Sequence, residues 1–93
     1  MNPKFHVDMQ AKKLYVQYAQ WTNAVEFQLK QGFDKKWYIV FDNLDSAESF
    51  YNSLPHIIQE YMKFHCFFGY CNAFLLDELM QAVEGINNAL PMV

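Results

Sequence analysis

The sequence lacks several features that mark whole classes of protein. It has no arginine, the side chain that binds phosphate and guanine through two parallel hydrogen bonds, and this argues against direct, specific nucleic-acid binding. Its two cysteines cannot build a disulfide scaffold, so a reducing, cytoplasmic location is expected. No apolar run approaches the roughly 20 residues that span a bilayer, and the start of the chain lacks the apolar core of a signal peptide.

Motifs for catalysis or cofactor binding are also missing. There is no phosphate-binding glycine loop, nucleophile elbow or zincin helix. Cys66 and Cys71 are five residues apart, which fits no zinc or redox template even with His56 and His65 nearby, so buried free thiols are expected. Neighbours on a helix diverge, which disfavours a His65–Cys66 nucleophile pair. We expect no enzyme, no catalytic residue, no cofactor and no metal.

What is present suits one packed domain over residues 1–93. Hydrophobic residues make up 53% of the chain and aromatic residues 18%, a composition that favours a core over disorder. Charge is uneven: residues 1–41 hold six of the seven lysines, whereas residues 42–93 hold seven of the ten acids. The pairs Lys12-Lys13 and Lys35-Lys36 fall where turns are expected and are interpreted as solvated loops.

In the first half of the chain apolar and polar residues alternate with period 2, which predicts strands. A short turn is expected at 11–13, a break at 21–23 and a hairpin loop at 31–36, which contains Gly32. Residues 37–41 are apolar throughout and predict a central or covered strand. Short links imply antiparallel pairing. The apolar set expected on one face is Phe5, Val7, Met9, Leu14, Val16, Tyr18, Val25, Phe27 and Leu29.

From residue 42 onward the spacing becomes helical. Asp45 suits an N-cap with Glu48 three residues later, and Pro55 either ends this helix or starts the next. A second helix is predicted from 56 to about 68, with a joint at Gly69 or Asn72. A last helix carries an apolar stripe and has Gly85 as a candidate C-cap; the stripe is Leu76, Leu79, Val83, Ile86 and Leu90.

The predicted fold is α+β, a four-stranded antiparallel meander followed by two or three helices packed on one face. The opposite, polar face would then be open, provided the strand phase is right, because a one-residue slip inverts it. Its members are His6, Asp8, Gln10, Tyr15, Gln17, Glu26, Gln28, Lys30 and Tyr38. Tyrosine is enriched at protein interfaces, although ordinary cross-strand pairing also favours it. The predicted partner-binding residues are Tyr15, Gln17, Glu26, Gln28 and Tyr38.

One segment also suggests a family. Val40-Phe41-Asp42, then Glu48-Ser49 with the aromatics Phe50 and Tyr51, then Leu54-Pro55, resembles a stretch of small phage-encoded anti-CRISPR proteins that act on type I-F surveillance complexes. The order of four strands before helices is also similar. The resemblance implies an inhibitor that binds subunits of a CRISPR-Cas effector complex by protein–protein contacts and blocks its access to target DNA.

Two alternatives remain open. An immunity protein neutralising a nuclease toxin would use the acidic second half of the chain against a basic surface. A non-catalytic subunit of a homo-oligomer, such as a homodimer, would use the Phe-rich region, which is predicted to be helical and has more aromatic residues than one helical face can bury. Its aromatic residues are Phe64, Phe67, Phe68, Tyr70 and Phe74. Neither alternative needs a membrane or direct nucleic-acid contact.

Overall fold

A computed structural model describes residues 3–18, 24–67 and 70–89 as one open sheet with helices. Along the chain the elements are β1 (Lys4–Asp8), β2 (Lys13–Gln17), β3 (Val25–Gln31), β4 (Trp37–Val40), α1 (Leu44–Asn52), α2 (His56–Gln59), β5 (Phe64–Phe67), β6 (Tyr70–Leu75) and α3 (Leu76–Ala89). The six strands are ordered β1-β2-β3-β4-β6-β5 across the sheet, and every neighbouring pair is antiparallel. The predicted α+β meander is confirmed, and β4 is central as expected.

The turn between β1 and β2 is built by an aspartate. The Asp8 carboxylate accepts hydrogen bonds from the backbone amides of Gln10 at 3.0 Å and Ala11 at 3.1 Å, and Lys12 completes the turn with φ of 56°. The turn therefore begins earlier than the predicted residues 11–13. Met9 lies in it and is 45% exposed, so its expected place on the apolar face is wrong.

The loop between β3 and β4 confirms the predicted hairpin. Gly32 donates its amide to the carbonyl of Lys36 at 2.9 Å, and the Lys35 amide donates back to Gly32 at 3.0 Å. Lys35 in this loop adopts the left-handed backbone region, with φ of 65°. The Asp34 carboxylate accepts from the Lys36 amide at 3.0 Å and fixes the loop. The break predicted at 21–23 lies outside the described residues.

All three helices bury side chains against one face of the sheet. The strands contribute Leu14, Val16, Leu29 and Ile39, each at most 2% exposed, and the alternation of these residues confirms the predicted strand phase. The helices add buried side chains to the same cluster: Ala47, Phe50, Ile58, Leu76, Leu79 and Ala82. Burial of this apolar area is the main force that holds the helices on the sheet.

Helix α1 begins two residues before the sequence suggests. Its N-cap is Asn43, whose side-chain oxygen accepts from the Ser46 amide at 2.8 Å, so the predicted cap at Asp45 is wrong. Asp45 instead lies in the first turn, where its charge favours the helix dipole. Pro55 directly precedes α2, which resolves its two alternatives in favour of a helix start.

The helix predicted from 56 to about 68 is the main error. Helix α2 ends at Gln59, and the chain then forms the β5–β6 hairpin, in which Asn72 lies inside a strand and is not a joint. Short apolar runs fit both periods, and the aromatics here also favour strands. Without β6, the apolar strand β4 would be an unpaired edge. Gly69 lies outside the described residues.

The predictions for α3 are confirmed in part, and the prediction for Cys66 is wrong. Leu76 and Leu79 are buried, which confirms the start of the apolar stripe on α3. Gly85 lies within α3, which continues to Ala89, so it is not a C-cap. Cys66 is exposed, and the expected burial of its thiol is wrong. The side chain of Cys71 lies outside what the structure describes.

Candidate protein-binding face

The sheet has a second face, opposite the helices, which is called the outer face below. Cross-strand register sets His6 opposite Tyr15, Tyr15 opposite Glu26, and Lys30 opposite Tyr38. The five residues predicted to bind a partner therefore share this face; Gln10, expected there too, lies in the β1–β2 turn. The polar and aromatic residues of the outer face are Lys4, His6, Asp8, Lys13, Tyr15, Gln17, Glu26, Gln28, Lys30, Tyr38 and His65.

Tyr15 lies in the second strand of this face and is half-buried. Its ring lies 6.2 Å from that of His6, tilted by 32°, and its other neighbour is Glu26. Within the described ranges, the Tyr15 hydroxyl and the side-chain amides of Gln17 and Gln28 make no hydrogen bond to protein. These groups can hydrogen-bond to a second molecule without first breaking an internal bond.

Glu26 is held by a neighbour on the adjacent strand. Lys13 donates from Nζ to its carboxylate at 3.0 Å, and this hydrogen bond together with the carboxylate charge raises the pKa of Lys13. The two side chains are 40% and 55% exposed, so salt screens the pair. Either charge can therefore turn to a partner at low cost.

A polar cluster lies where β4 and β5 form one end of the outer face. It comprises Asp34, Tyr38, His65 and Glu78 and is called the Tyr38 cluster. Tyr38 donates its hydroxyl to the Asp34 carboxylate at 2.7 Å. This bond, with the Lys36 amide, holds the pKa of Asp34 below its usual value, and it raises the pKa of Tyr38. His65 Nε2 lies 3.1 Å from the Glu78 carboxylate, and its ring meets the Tyr38 ring edge-on at 5.8 Å.

The Tyr38 cluster joins parts of the chain that are far apart in sequence. It links the β3–β4 loop to β4, β5 and the first turns of α3. Tyr38 also packs against a small apolar pair on this face, Val40 and Ala73, which are 8% and 0% exposed. This packing limits the rotamers of Tyr38, so little side-chain entropy would remain to be lost on binding.

Sequence reasoning missed three members of the Tyr38 cluster. The sequence predicts Asp34 only as a loop residue, although its position four residues before Tyr38 across a tight hairpin is a usable signal. Glu78 lies in a helix as predicted, whereas His65 is predicted in a helix and lies in β5. Only the β5–β6 register places His65 beside Tyr38. No spacing in the sequence reveals that register.

The described residues offer little for other chemistry. They contain no group of three or more side chains positioned to hold a metal ion. Of the helices described, none has the length and apolar character needed to cross a membrane. Comparison of the chain with protein-family models, with curated proteins and with solved structures gave no match. The geometry of the outer face is therefore the basis of any functional argument.

Proposed function

We propose that this protein is a small inhibitor that binds another protein through the outer face, and that its target is a type I-F CRISPR-Cas effector complex. The observation that carries the proposal is the convergence of Tyr15, Gln17, Glu26, Gln28 and Tyr38 on one sheet face that the helices leave open. Tyrosines on a rigid sheet offer large contact area and have few rotamers to freeze.

The resemblance to anti-CRISPR proteins supports a similar fold more directly than it supports a similar contact surface. Its residues Phe41, Phe50 and Leu54 are 6%, 3% and 4% exposed and belong to the core. Core residues that match those of the family indicate a similar packing of β4 on α1. They do not indicate a similar contact surface. The choice of target therefore depends on the binding experiment below.

Charge distribution suggests how binding would block DNA. Residues 37–62 contain no lysine, and their acids lie exposed on and around α1 and α2: Asp42, Asp45, Glu48 and Glu60. The strand residues of the outer face are nearly balanced in charge, with three lysines and two acids. With the outer face on the effector complex, the acidic helices would point away from it. An acidic layer there repels the phosphates of incoming DNA, in addition to the steric block.

The test is competition between the protein and target DNA for the purified type I-F surveillance complex. Wild-type protein is expected to bind the complex and prevent DNA binding. Tyr15→Ala and Glu26→Ala are each expected to weaken binding by roughly 30-fold or more, the effect of an interface hot spot of about 2 kcal/mol. The matched control is Tyr61→Ala, which removes a tyrosine that is 50% exposed outside the outer face.

Circular dichroism must show that all three variants remain folded. Unchanged affinity of folded Tyr15→Ala and Glu26→Ala would overturn the outer face as the contact. Failure of the wild-type protein to bind at micromolar concentration would overturn the choice of target. In that case the acidic helices favour an immunity protein, for which Glu48→Lys with Glu60→Lys should abolish inhibition of a nuclease toxin.

A homo-oligomeric subunit is the second candidate, supported by exposed apolar side chains in α2 and in the chain that follows it. Ile57, Tyr61 and Phe64 are 49%, 50% and 44% exposed, in α2, the segment after it and the edge strand β5. Such exposure favours self-association. Light scattering across a hundredfold dilution should then show a falling mass, and Ile57→Lys should give a monomer. A monomer at every concentration overturns this candidate.

A further inference from the structure

Phe33, at the tip of the β3–β4 loop, is 92% exposed, whereas the other exposed large apolar side chains of the described ranges are 44–51% exposed. Contacts within the chain therefore cover less than a tenth of this residue. A phenylalanine left in water forgoes the favourable transfer of its ring into an apolar environment. We propose that Phe33 is an anchor that enters an apolar pocket with an acidic rim on the target protein. The target is that of the proposed function, on which this anchor depends, and the contact lies outside the outer face.

The loop holds Phe33 in place before any partner binds. Two backbone hydrogen bonds close the loop, and the Gln31 side-chain amide donates across it to the Lys35 carbonyl at 3.0 Å. The Asp34 carboxylate uses both of its oxygens within the hairpin, one with a backbone amide of the loop and the other with the Tyr38 hydroxyl. A loop that is already ordered loses little conformational entropy when its side chain is bound.

Phe33 also lies next to the outer face. It directly precedes Asp34, whose carboxylate accepts from the Tyr38 hydroxyl at 2.7 Å. Consecutive Cα atoms are only about 3.8 Å apart. A protein that covers Tyr38 is therefore within reach of the Phe33 ring, so the anchor and the outer face can contact the same partner.

The charges beside Phe33 indicate what surrounds the pocket. Lys35 and Lys36 are both exposed, and Lys36 is attracted to the carboxylate of Asp34. Among the described residues, no salt bridge involves Lys35. An acidic residue at the rim of the pocket would pair with Lys35. Because an exposed ion pair contributes little free energy, this pair would orient the loop more than it would raise the affinity.

The test is the affinity of folded variants for the purified surveillance complex, measured beside wild type and Tyr15→Ala. Phe33→Ala is expected to weaken binding by roughly 30-fold or more, because the burial of the ring is lost. Phe33→Leu keeps most of the apolar area and should stay within about fivefold of wild type. The matched control is Leu44→Ala, at a side chain 51% exposed in α1 on the helix side of the sheet, and it should leave the affinity unchanged.

Lys35→Asn tests the acidic rim, since asparagine tolerates the left-handed backbone of this position. It should weaken binding about threefold at low salt and have no effect at 500 mM salt, where the ion pair is screened. Hydroxyl-radical labelling gives a second measure: oxidation of Phe33 should fall severalfold in the complex, whereas Tyr61, 50% exposed outside the outer face, should stay reactive.

Each part of the proposal has a result that overturns it. Full affinity of Phe33→Ala, with weakened Tyr15→Ala, overturns the anchor alone and leaves the outer face as the contact. Equal losses in Phe33→Ala and Leu44→Ala would mean unspecific apolar attraction and overturn the pocket. Unchanged affinity of Lys35→Asn at low salt overturns the acidic rim. A wild-type protein that does not bind the complex overturns the proposed target, and the anchor with it.

Discussion

At the scale of single residues, the bond from Tyr38 to Asp34 gives a prediction about pH. Tyr38→Phe removes the hydroxyl donor that contributes most to lowering the pKa of Asp34. The Asp34 pKa should therefore rise toward its ordinary value, although the Lys36 amide retains part of the effect. A carbon-13 NMR titration of the Asp34 carboxyl group in both proteins measures this change.

The sign of the effect on stability follows from linkage. The pKa of Asp34 is lower in the folded protein than in the unfolded chain, so its ionised form stabilises the fold above the unfolded pKa. That stabilisation is lost as the pH falls through the folded pKa. The difference in unfolding free energy between wild type and Tyr38→Phe should shrink over this acid range. A difference that grows on acidification would contradict the assignment.

The helix cap gives a second prediction. Asn43→Ala removes the oxygen that accepts from the Ser46 amide and should lower the free energy of unfolding by about 1 kcal/mol, within a range of roughly 0.5–2. Asn43→Asp keeps an acceptor and adds a favourable charge at the helix start, so it should be neutral or stabilising. Urea denaturation of the three proteins measures both. A larger loss in Asp45→Ala than in Asn43→Ala would contradict the cap.

At the scale of elements, β6 provides the central aromatic side chain of the core. Phe74 has no exposed surface, and four rings lie around it with centroids 4.6–5.9 Å away: Phe41, Phe50, Tyr51 and Phe64. Phe74→Ala should cost about 3–5 kcal/mol, a large part of the roughly 5–15 kcal/mol typical of a domain. Phe33→Ala, at a side chain 92% exposed, is the control and should change stability little. Thermal unfolding of both variants measures the difference.

The elements also show where sequence patterns suffice. Alternation over β1–β3 predicted their pairing and phase, because these strands alternate between a side packed on the core and a more exposed side, as Leu29 and Gln28 illustrate. The β5–β6 hairpin was missed because its pairing with β4 joins residues as far apart as Ile39 and Phe74. Local periodicity carries no information about such contacts, and tertiary pairing overrode it.

The same limit applies to the candidate site. Tyr15, Gln17, Glu26, Gln28 and Tyr38 could be grouped from the sequence because all five lie in the locally paired meander. His65 could not be added, because its position depends on the missed hairpin.

At the scale of the whole molecule, the separation of charge predicts how association responds to salt. The outer face has nearly balanced charge, whereas the exposed acids around α1 lie elsewhere. If the outer face is the contact, raising the salt from 50 to 500 mM should change the association rate with the effector complex less than about tenfold. A steeper fall would place the acidic helices at the contact. Stopped-flow fluorescence with Glu48→Lys as the comparison measures the difference.

The position of the β5–β6 hairpin in the sequence has a consequence during synthesis. Ile39 of β4 pairs with Leu29, which lies ten positions earlier in the sequence, and with Phe74, which lies 35 positions later. At about 5–20 residues per second, the ribosome needs roughly 2–7 s to add that stretch. For this interval the nascent sheet exposes an apolar edge to other chains. The yield of folded protein should therefore depend on translation speed between codons 40 and 75, even when the amino-acid sequence is unchanged.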